Sequence, residues 1–272
     1  MIKLDFCKAY DSISWEYLDQ IQQIMGFGDK WRQWIFECIS TPMLAVLING
    51  SPTEEFPMER GLRQGDPLSP FLFLIAAEGL SRLLARAKEV GDLRGVEWVR
   101  NGDRMNHLQY ADDTIIFCEA ELEEIKSLRR ILKSFEAASG LRINYSKSKC
   151  VGIGVKEGDL KQFAQTLGCA TGQLPLEYMG ILVGADPRKV KTWAPVIDKF
   201  KEKLASWRSL NLSMAGRLVL VKAALSNLLV YYASLFKMPV QVVAQLERLQ
   251  RRFLWGSSDK GKKIHYVKWE KL

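Results

Sequence analysis

Histidine is close to absent from this sequence, with two in 272 residues. Its five cysteines, Cys7, Cys38, Cys118, Cys150 and Cys169, include no C-x-x-C pair. That scarcity argues against a zinc site and predicts reduced thiols in an intracellular compartment. No internal repeat and no long low-complexity tract is present, which sets aside repeat architectures and disordered linkers. The N-terminus is charged within three residues and lacks the apolar core of a signal peptide. No glycine fingerprint follows a strand, and no βαβ rhythm is visible, so a parallel dinucleotide-binding sheet is not expected. Long apolar runs are scarce too. One, over 218–236, carries a single charge, Lys222, and is interrupted by Ser226, Asn227 and Ser234. A helix buried against a partner fits that run better than one facing lipid, and no membrane partner is expected.

What is present is an ordinary globular composition, 47% hydrophobic and 26% charged, in a chain able to bury one large core or two modest ones. The net charge of +8 conceals a division. Residues 1–187 carry 21 Lys and Arg against 26 Asp and Glu; residues 188–272 carry 18 against 5, a net of +13. A basic C-terminal third beside an acidic region points to a polyanion held near a cation-binding cluster, although a plain basic helical domain would have the same charge.

Patterning divides at the same place. A strand at 2–6 opens the chain, followed by helices over 15–25 and from 29 onward, the first capped by Ser14. A hairpin over 43–58 turns at Asn49-Gly50, and a breaker-rich loop at 61–70 precedes a long apolar helix at 71–88. Further strands are expected at 96–99, 141–144 and 151–155, with helices at 121–139 and 160–167 and a strand or turn at 174–183. From Pro195 the pattern is helical only, over 196–207, 213–237 and 240–255. The expectation is an α+β first domain, 1–187, with an antiparallel sheet, and a basic helical second domain, 188–272.

His107-Leu108-Gln109-Tyr110-Ala111-Asp112-Asp113-Thr114-Ile115-Ile116-Phe117 sets two adjacent aspartates between runs of strand character. Aspartate is a poor strand former, and adjacent carboxylates repel, so a tight turn reversing at the pair is expected. A solvated turn would satisfy the pattern; a bound cation would make the crowding favourable. Asp5, at the end of the apolar strand that opens the chain, is the candidate third carboxylate. Mg²⁺ takes oxygen ligands, often one or two carboxylates with substrate phosphates. Two such ions about 3.5–4 Å apart can stabilise the attacking and leaving oxygens of phosphoryl transfer.

Three stretches occur in order: Leu4-Asp5-Phe6-Cys7-Lys8-Ala9-Tyr10-Asp11-Ser12, Gly61-Leu62-Arg63-Gln64-Gly65-Asp66-Pro67-Leu68-Ser69-Pro70 and Tyr110-Ala111-Asp112-Asp113. They resemble successive palm motifs of reverse transcriptases, specifically those of LINE-type (non-LTR) retrotransposons. Ser139-Gly140-Leu141-Arg142-Ile143-Asn144 with Lys147, then Tyr178-Met179-Gly180, resemble the fourth and fifth motifs. Trp207, Leu212-Ser213-Met214-Ala215-Gly216-Arg217, Met238-Pro239 and Arg251-Arg252-Phe253-Leu254-Trp255-Gly256 resemble the region after the palm in plant elements. The resemblance implies a right-hand polymerase, with palm and partial fingers over 1–187 and an all-α thumb or post-palm region over 188–272.

The resemblance further implies an RNA-directed DNA polymerase that adds deoxynucleotides to a DNA primer on an RNA template. Asp5, Asp112 and Asp113 would be catalytic and would hold two Mg²⁺ ions, with Mn²⁺ a possible substitute. Phe6 and Tyr10 would lie at the incoming nucleotide, the Tyr10 ring excluding a ribose 2′-hydroxyl; an ordinary core aromatic is the alternative. Gln64 and Gly65 would lie against the nascent base pair. Lys147 would assist pyrophosphate departure, or be a solvated loop lysine. Tyr178, Met179 and Gly180 would grip the primer end, with Met in place of the more usual Leu. Trp193, Trp207 and Trp255 could stack on bases or fill a helical core.

The family's fingers region, with its basic residues for the triphosphate, is largely missing before Asp5, so the chain reads as a fragment of a longer protein. No endonuclease, RNase H or Cys/His knuckle lies within it. The alternatives are an inactive retroelement remnant that only binds nucleic acid, a group II intron maturase and an RNA-templated RNA polymerase. A nuclear location follows from how such elements insert.

Overall fold

The computed structural model describes residues 1–97, 102, 104–208, 212–255, 267 and 269. They form two compact units, Met1–Gln173 and Leu174–Leu272.

The first unit opens with β1 (Ile2–Leu4) and β2 (Phe6–Cys7), with Asp5 between them. Ile2 and Leu4 are buried and Lys3 is not, the alternation of a strand with one face in a core. A one-turn helix α1 (Ala9–Ser12) leads to α2 (Trp15–Ile24), capped as expected by Ser14, whose hydroxyl accepts from the Tyr17 N–H at 3.3 Å. After α3 (Asp29–Ser40) come β3 (Met43–Leu44), β4 (Leu47–Ile48), β5 (Ser51–Pro52) and β6 (Phe56–Pro57). They make a two-tier hairpin, β4 with β5 inside β3 with β6, around Asn49-Gly50.

The breaker-rich loop feeds α4 (Ser69–Glu89), with Pro70 in its first turn. Leu72, Phe73, Ala76, Leu80 and Leu84 recur on one face of α4, and all are buried. Next come β7 (Val96–Glu97), β8 (Arg104–Met105), β9 (His107–Tyr110) and β10 (Asp113–Ile116). Trp98, Val99 and Asn101, where the strand and turn were expected to continue, lie outside the described residues. The unit ends with α5 (Leu122–Ser139), β11 (Arg142–Ile143), β12 (Lys149–Val151), α6 (Glu157–Leu167) and β13 (Ala170–Gly172).

The main sheet has the order β13-β12-β1-β10-β9, and α2, α4 and α5 contribute the bulk of the core beside it. Mixed sheet plus helices is the expected class, with one correction. β12 and β13 pair in parallel, because α6 carries the chain over from one to the other. A parallel neighbour requires such a crossover, and the wholly antiparallel expectation overlooked it.

The second unit holds β14 (Leu176–Tyr178) and β15 (Ile181–Val183), a 3₁₀ turn at Val190–Trp193, α7 (Ala194–Arg208), α8 (Met214–Leu220), a π-helical turn at Val221–Leu225, α9 (Ser226–Leu235) and α10 (Val240–Leu254). The two units divide between Gln173 and Leu174, so the β14–β15 hairpin belongs to this one, and the described elements from Val190 onward are helical only, as expected. Two tyrosines of α9 hold the hairpin there: the Tyr231 hydroxyl donates to the Met179 carbonyl at 3.0 Å, and the Tyr232 hydroxyl donates to the Gly180 carbonyl. The core gathers Trp193, Phe200, Leu204, Leu225, Val242, Leu246 and Phe253. Trp193 and Trp255 are buried, and Trp207 packs against Phe253 at 5.9 Å, so these tryptophans are core residues.

Met214–Leu235 is long and apolar enough to cross a membrane by length and composition, and 12% of its most apolar window is buried. Val219, Val230 and Leu235 are exposed. Among the described residues the run is covered only in part, with Val221 and Leu225 buried.

Candidate active site

Asp5 stands where the opening strand changes partners. Before it, Leu4 pairs with Thr114 of β10; after it, Phe6 pairs with Ile143 of β11. The β1–β10 ladder ends at the Leu4–Thr114 rung, and Asp5 and Asp113 are the next residue on each side of it. The main chain at Asp5 is held from both sides. Its carbonyl accepts from the Asn144 N–H at 2.7 Å, and its N–H donates to the Ser148 hydroxyl at 3.1 Å.

β9 and β10 form the expected hairpin, but the reversal falls one residue early. Tyr110 pairs with Asp113, so Ala111 and Asp112 are the two turn residues and Asp113 opens the returning strand. Ala111 has φ 51°, in the left-handed region that residues with a side chain avoid at a cost of roughly 1–2 kcal/mol. Asp112 is exposed at the tip. Asp113 is half-buried and lies 3.6 Å from the Lys3 ammonium, which takes up part of its charge. Strand pairing thus leaves Asp5 and Asp113 as the residues next to the last rung of the β1–β10 ladder, with Asp112 adjoining Asp113 along the chain.

These carboxylates do not form a ready-made cage. Among the described residues, no three Asp, Glu, His or Cys side chains converge closely enough to hold a metal ion. Asp112 sits out on the turn, while Asp113 leans to Lys3. The donors are oxygen only, which suits a hard cation completing its shell with water and substrate phosphate.

Tyr10 lies on α1 with its ring stacked on Phe73 of α4, centroids 4.9 Å apart. It also lines a cavity of about 470 Å³ with Leu74, Glu78, His107 and Tyr110. Phe6 is half-buried, edge-on to Phe135 at 6.5 Å. Gln64 and Gly65 are exposed on their loop, which Asp66 steadies by accepting from the Leu68 N–H at 2.9 Å and pairing with Arg63. The base of that loop lies against α1: the Gly61 N–H donates to Ile13 O at 2.8 Å and the Leu62 N–H to Tyr10 O at 2.7 Å. A Cβ on Gly61, which has φ 82°, would stand 2.6 Å from the Asp11 carbonyl oxygen. Gly140, φ 75°, meets the same helix from the other side, where a Cβ would stand 2.5 Å from Ser12 O. Lys147 is exposed on the turn that holds Asp5. Tyr178, Met179 and Gly180 lie apart from these residues in sequence, on the β14–β15 turn of the second unit.

Several participants carried no role in the sequence. Ser148, Lys3, Ser81 and Asn106 are unremarked polar residues there. His107 stood beside the aspartates without a function assigned. Its Nε2 lies 2.9 Å from the Ser81 hydroxyl on α4, and its Nδ1 lies 2.8 Å from Asn106 Oδ1. Asn106 in turn donates its amide to Leu84 O at 2.7 Å, so the base of the β9–β10 hairpin is tied to α4. Burial holds the His107 imidazole below its ordinary pKa of 6.5, against the opposing pull of the Glu78 carboxylate. Only the Asn144-Tyr145-Ser146-Lys147-Ser148 cluster of turn formers offered a local signal for one of these, Ser148.

Similarity to known proteins runs through the same residues. A family profile described as reverse transcriptase (RNA-dependent DNA polymerase) matches residues 1–183. The transposon TX1 149 kDa protein of Xenopus laevis is 27% identical over 262 residues, 93% of this chain and 19% of that protein. The Pol polyprotein of the type-2 retrotransposable element R2DM of Drosophila melanogaster is 30% identical over 160 residues, 58% of this chain and 14% of its own length. An uncharacterized mitochondrial protein of Arabidopsis thaliana is 52% identical over 71 residues, 26% of this chain and 58% of that protein. This chain spans less than two thirds of each of these relatives. With a profile match across most of the chain, and the acidic hairpin and strand-end aspartate inside it, the chain belongs to the reverse transcriptase family.

Proposed function

We propose that this chain is the polymerising part of a plant LINE-type retrotransposon protein, copying RNA into DNA from a primer. The observation that carries the reading is that Asp5 and Asp113 each adjoin the last rung, Leu4–Thr114, of the β1–β10 ladder, with Asp112 on the adjoining turn. In the reaction the primer O3′ forms a bond to the α-phosphorus of a deoxynucleoside triphosphate. The bond from that phosphorus to the bridging oxygen breaks, and pyrophosphate leaves. Two Mg²⁺ ions, or Mn²⁺ in their place, held by Asp5 and Asp112 with Asp113 completing the acidic set, would neutralise charge on the attacking and leaving oxygens.

The remaining roles belong to the chain itself. Tyr10, braced by Phe73, would form the floor under the sugar, with Phe6 nearby, and leave no room for a 2′-hydroxyl. The exposed Gln64-Gly65 loop would approach the nascent base pair, and Lys147 would offset charge on the departing pyrophosphate. In right-hand polymerase terms the first unit would be palm with partial fingers, and the helical unit thumb and post-palm. The turn at Met179-Gly180 would bear on the primer strand. With 18 Lys and Arg against 7 Asp and Glu, residues 174–272 would contact the phosphates of the template–primer duplex, an A-like helix read by shape and backbone. Its place of action would be the nucleus.

Purified chain supplied with Mg²⁺, deoxynucleotides and an RNA template annealed to a DNA primer should extend that primer, and the Asp112→Asn variant should not. Binding without extension by the unaltered chain would favour a retroelement remnant that only holds nucleic acid. The lack of three converging metal ligands among the described residues lends that second reading its support.

A further inference from the structure

The ladder beside Asp5 is unequal. Ile143 pairs with Phe6, and Lys149 pairs with Lys3. Between those rungs residues 144–148 face Leu4 and Asp5 alone, a surplus of three on one strand. Such bulges break a ladder locally and re-aim the residues opposite. Without a replacement partner, the half-buried N–H of Asp5 would be left unpaired.

The surplus residues fold into a compact turn that supplies the partner. The Ser148 N–H and hydroxyl both donate to the Asn144 carbonyl, at 2.9 and 2.8 Å. Asn144 Oδ1 accepts from the Ser146 hydroxyl at 2.7 Å and from the Lys147 N–H at 3.2 Å. Closed in this way, the turn presents the Asn144 N–H to the Asp5 carbonyl and the Ser148 oxygen to the Asp5 N–H. Ser148 is 1% exposed, so no water competes for that oxygen.

We propose that Ser148, supported by Asn144, is a positioning residue that fixes the main chain of Asp5 and thereby aims its carboxylate. This rests on the reading of Asp5 as a metal-holding carboxylate. The serine touches no substrate; it acts by replacing the missing rung of the ladder. Lys147 rides on the same turn, its N–H bonded to Asn144 Oδ1.

The test compares the unaltered 272-residue chain with Ser148→Ala and Ser148→Thr by thermal melting, primer extension and Mn²⁺ titration followed through the electron paramagnetic resonance of the free ion. Ser148→Ala is expected to weaken Mn²⁺ binding and to lower kcat, each by about 10–100-fold, with the deoxynucleotide KM unchanged. Ser148→Thr, which keeps the hydroxyl, is expected to restore both. A lowered melting temperature with Mn²⁺ affinity and kcat intact would overturn the proposal, since the serine would then be structural only. If the unaltered chain binds Mn²⁺ through Asp5 without extending a primer, and Ser148→Ala weakens that binding, the polymerase reading fails while the positioning role stands. If Asp5→Asn leaves Mn²⁺ binding unchanged, the positioning role falls. Should Ser148→Ala not fold, Asn144→Ala replaces it. That variant keeps the main-chain bond to Asp5 and loosens the turn, so a smaller loss of the same kind is expected.

Discussion

Two hairpin turns of the same size, one in each unit, are built from different supports. Ala111-Asp112 joins β9 to β10, and Met179-Gly180 joins β14 to β15. Each begins with a non-glycine residue in the left-handed region, Ala111 at φ 51° and Met179 at φ 50°. The first is anchored from below: its strands are the last two of a five-stranded sheet, and His107 and Asn106 tie their base to α4. Its tip is bare. The second has only two strands, and its tip is held directly by the hydroxyls of Tyr231 and Tyr232. Anchorage at the base leaves a tip free to take up a ligand; anchorage at the tip fixes a surface.

The comparison can be broken at several points. The largest effect is expected from Asp112→Asn at the bare tip. Losing a metal-holding carboxylate should lower nucleotide incorporation by about 10³-fold or more, equivalent to about 4 kcal/mol of barrier, with the melting temperature unchanged because the residue is exposed. Retained incorporation would remove the chemical distinction between the turns. Next comes the charge of the two units. If the second contacts several phosphates, duplex binding should fall by about 10³-fold between 50 and 200 mM salt. Lys199→Gln with Lys203→Gln should flatten that slope, and Lys126→Gln with Lys161→Gln in the first unit should not, as fluorescence anisotropy would reveal.

At the strapped tip, Tyr231→Phe and Tyr232→Phe should each cost about 1 kcal/mol, the worth of a hydrogen bond, seen as faster amide exchange confined to 176–183. Exchange rising equally at 107–116 would mean that the two hairpins are not independently supported. The base of the first hairpin supplies a pH effect. His107 is held neutral, with a folded pKa below its unfolded value, so unfolding takes up a proton as pH falls. Its stabilising contribution is full above about 6.5 and declines as pH falls below that value. His107→Gln should flatten the melting temperature across this range. Smallest of all, Ala111→Gly removes left-handed strain but adds freedom to the unfolded chain, a net gain under about 1 kcal/mol. A melting curve that moved downward instead would mean that the Ala111 methyl makes contacts outweighing its strain.

How legible this was in the sequence differs from part to part. Helices with a regular apolar face, such as α2 behind its Ser14 cap and α4 with Pro70 in its first turn, are local features and fall within two residues of where expected. The acidic hairpin is local too, and the error of one residue in its turn comes from Ala111, which no rule for left-handed positions would choose. β13 was missed because Ala170-Thr171-Gly172 has no strand alternation and owes its place to the parallel rung with β12. The hairpin around Met179 falls in the second unit, held there by a pair of hydroxyls about fifty residues further on, which nothing local announces. Asp5 itself was found through the motif around it. The serine that holds it lies 143 residues away, and nothing local names its target.

The one-turn helix after Asp5, pressed by Gly61 on one side and Gly140 on the other, has a consequence for genealogy. Mobile elements leave many decaying copies, and a copy is easily judged by whether its aspartates survive. A side chain at either glycine would collide with the main chain of that helix while every acidic residue stayed in place. A copy with such a change would keep its acidic residues while the turn after Asp5 is forced to shift, so these two glycines belong beside the aspartates in judging whether a copy is intact.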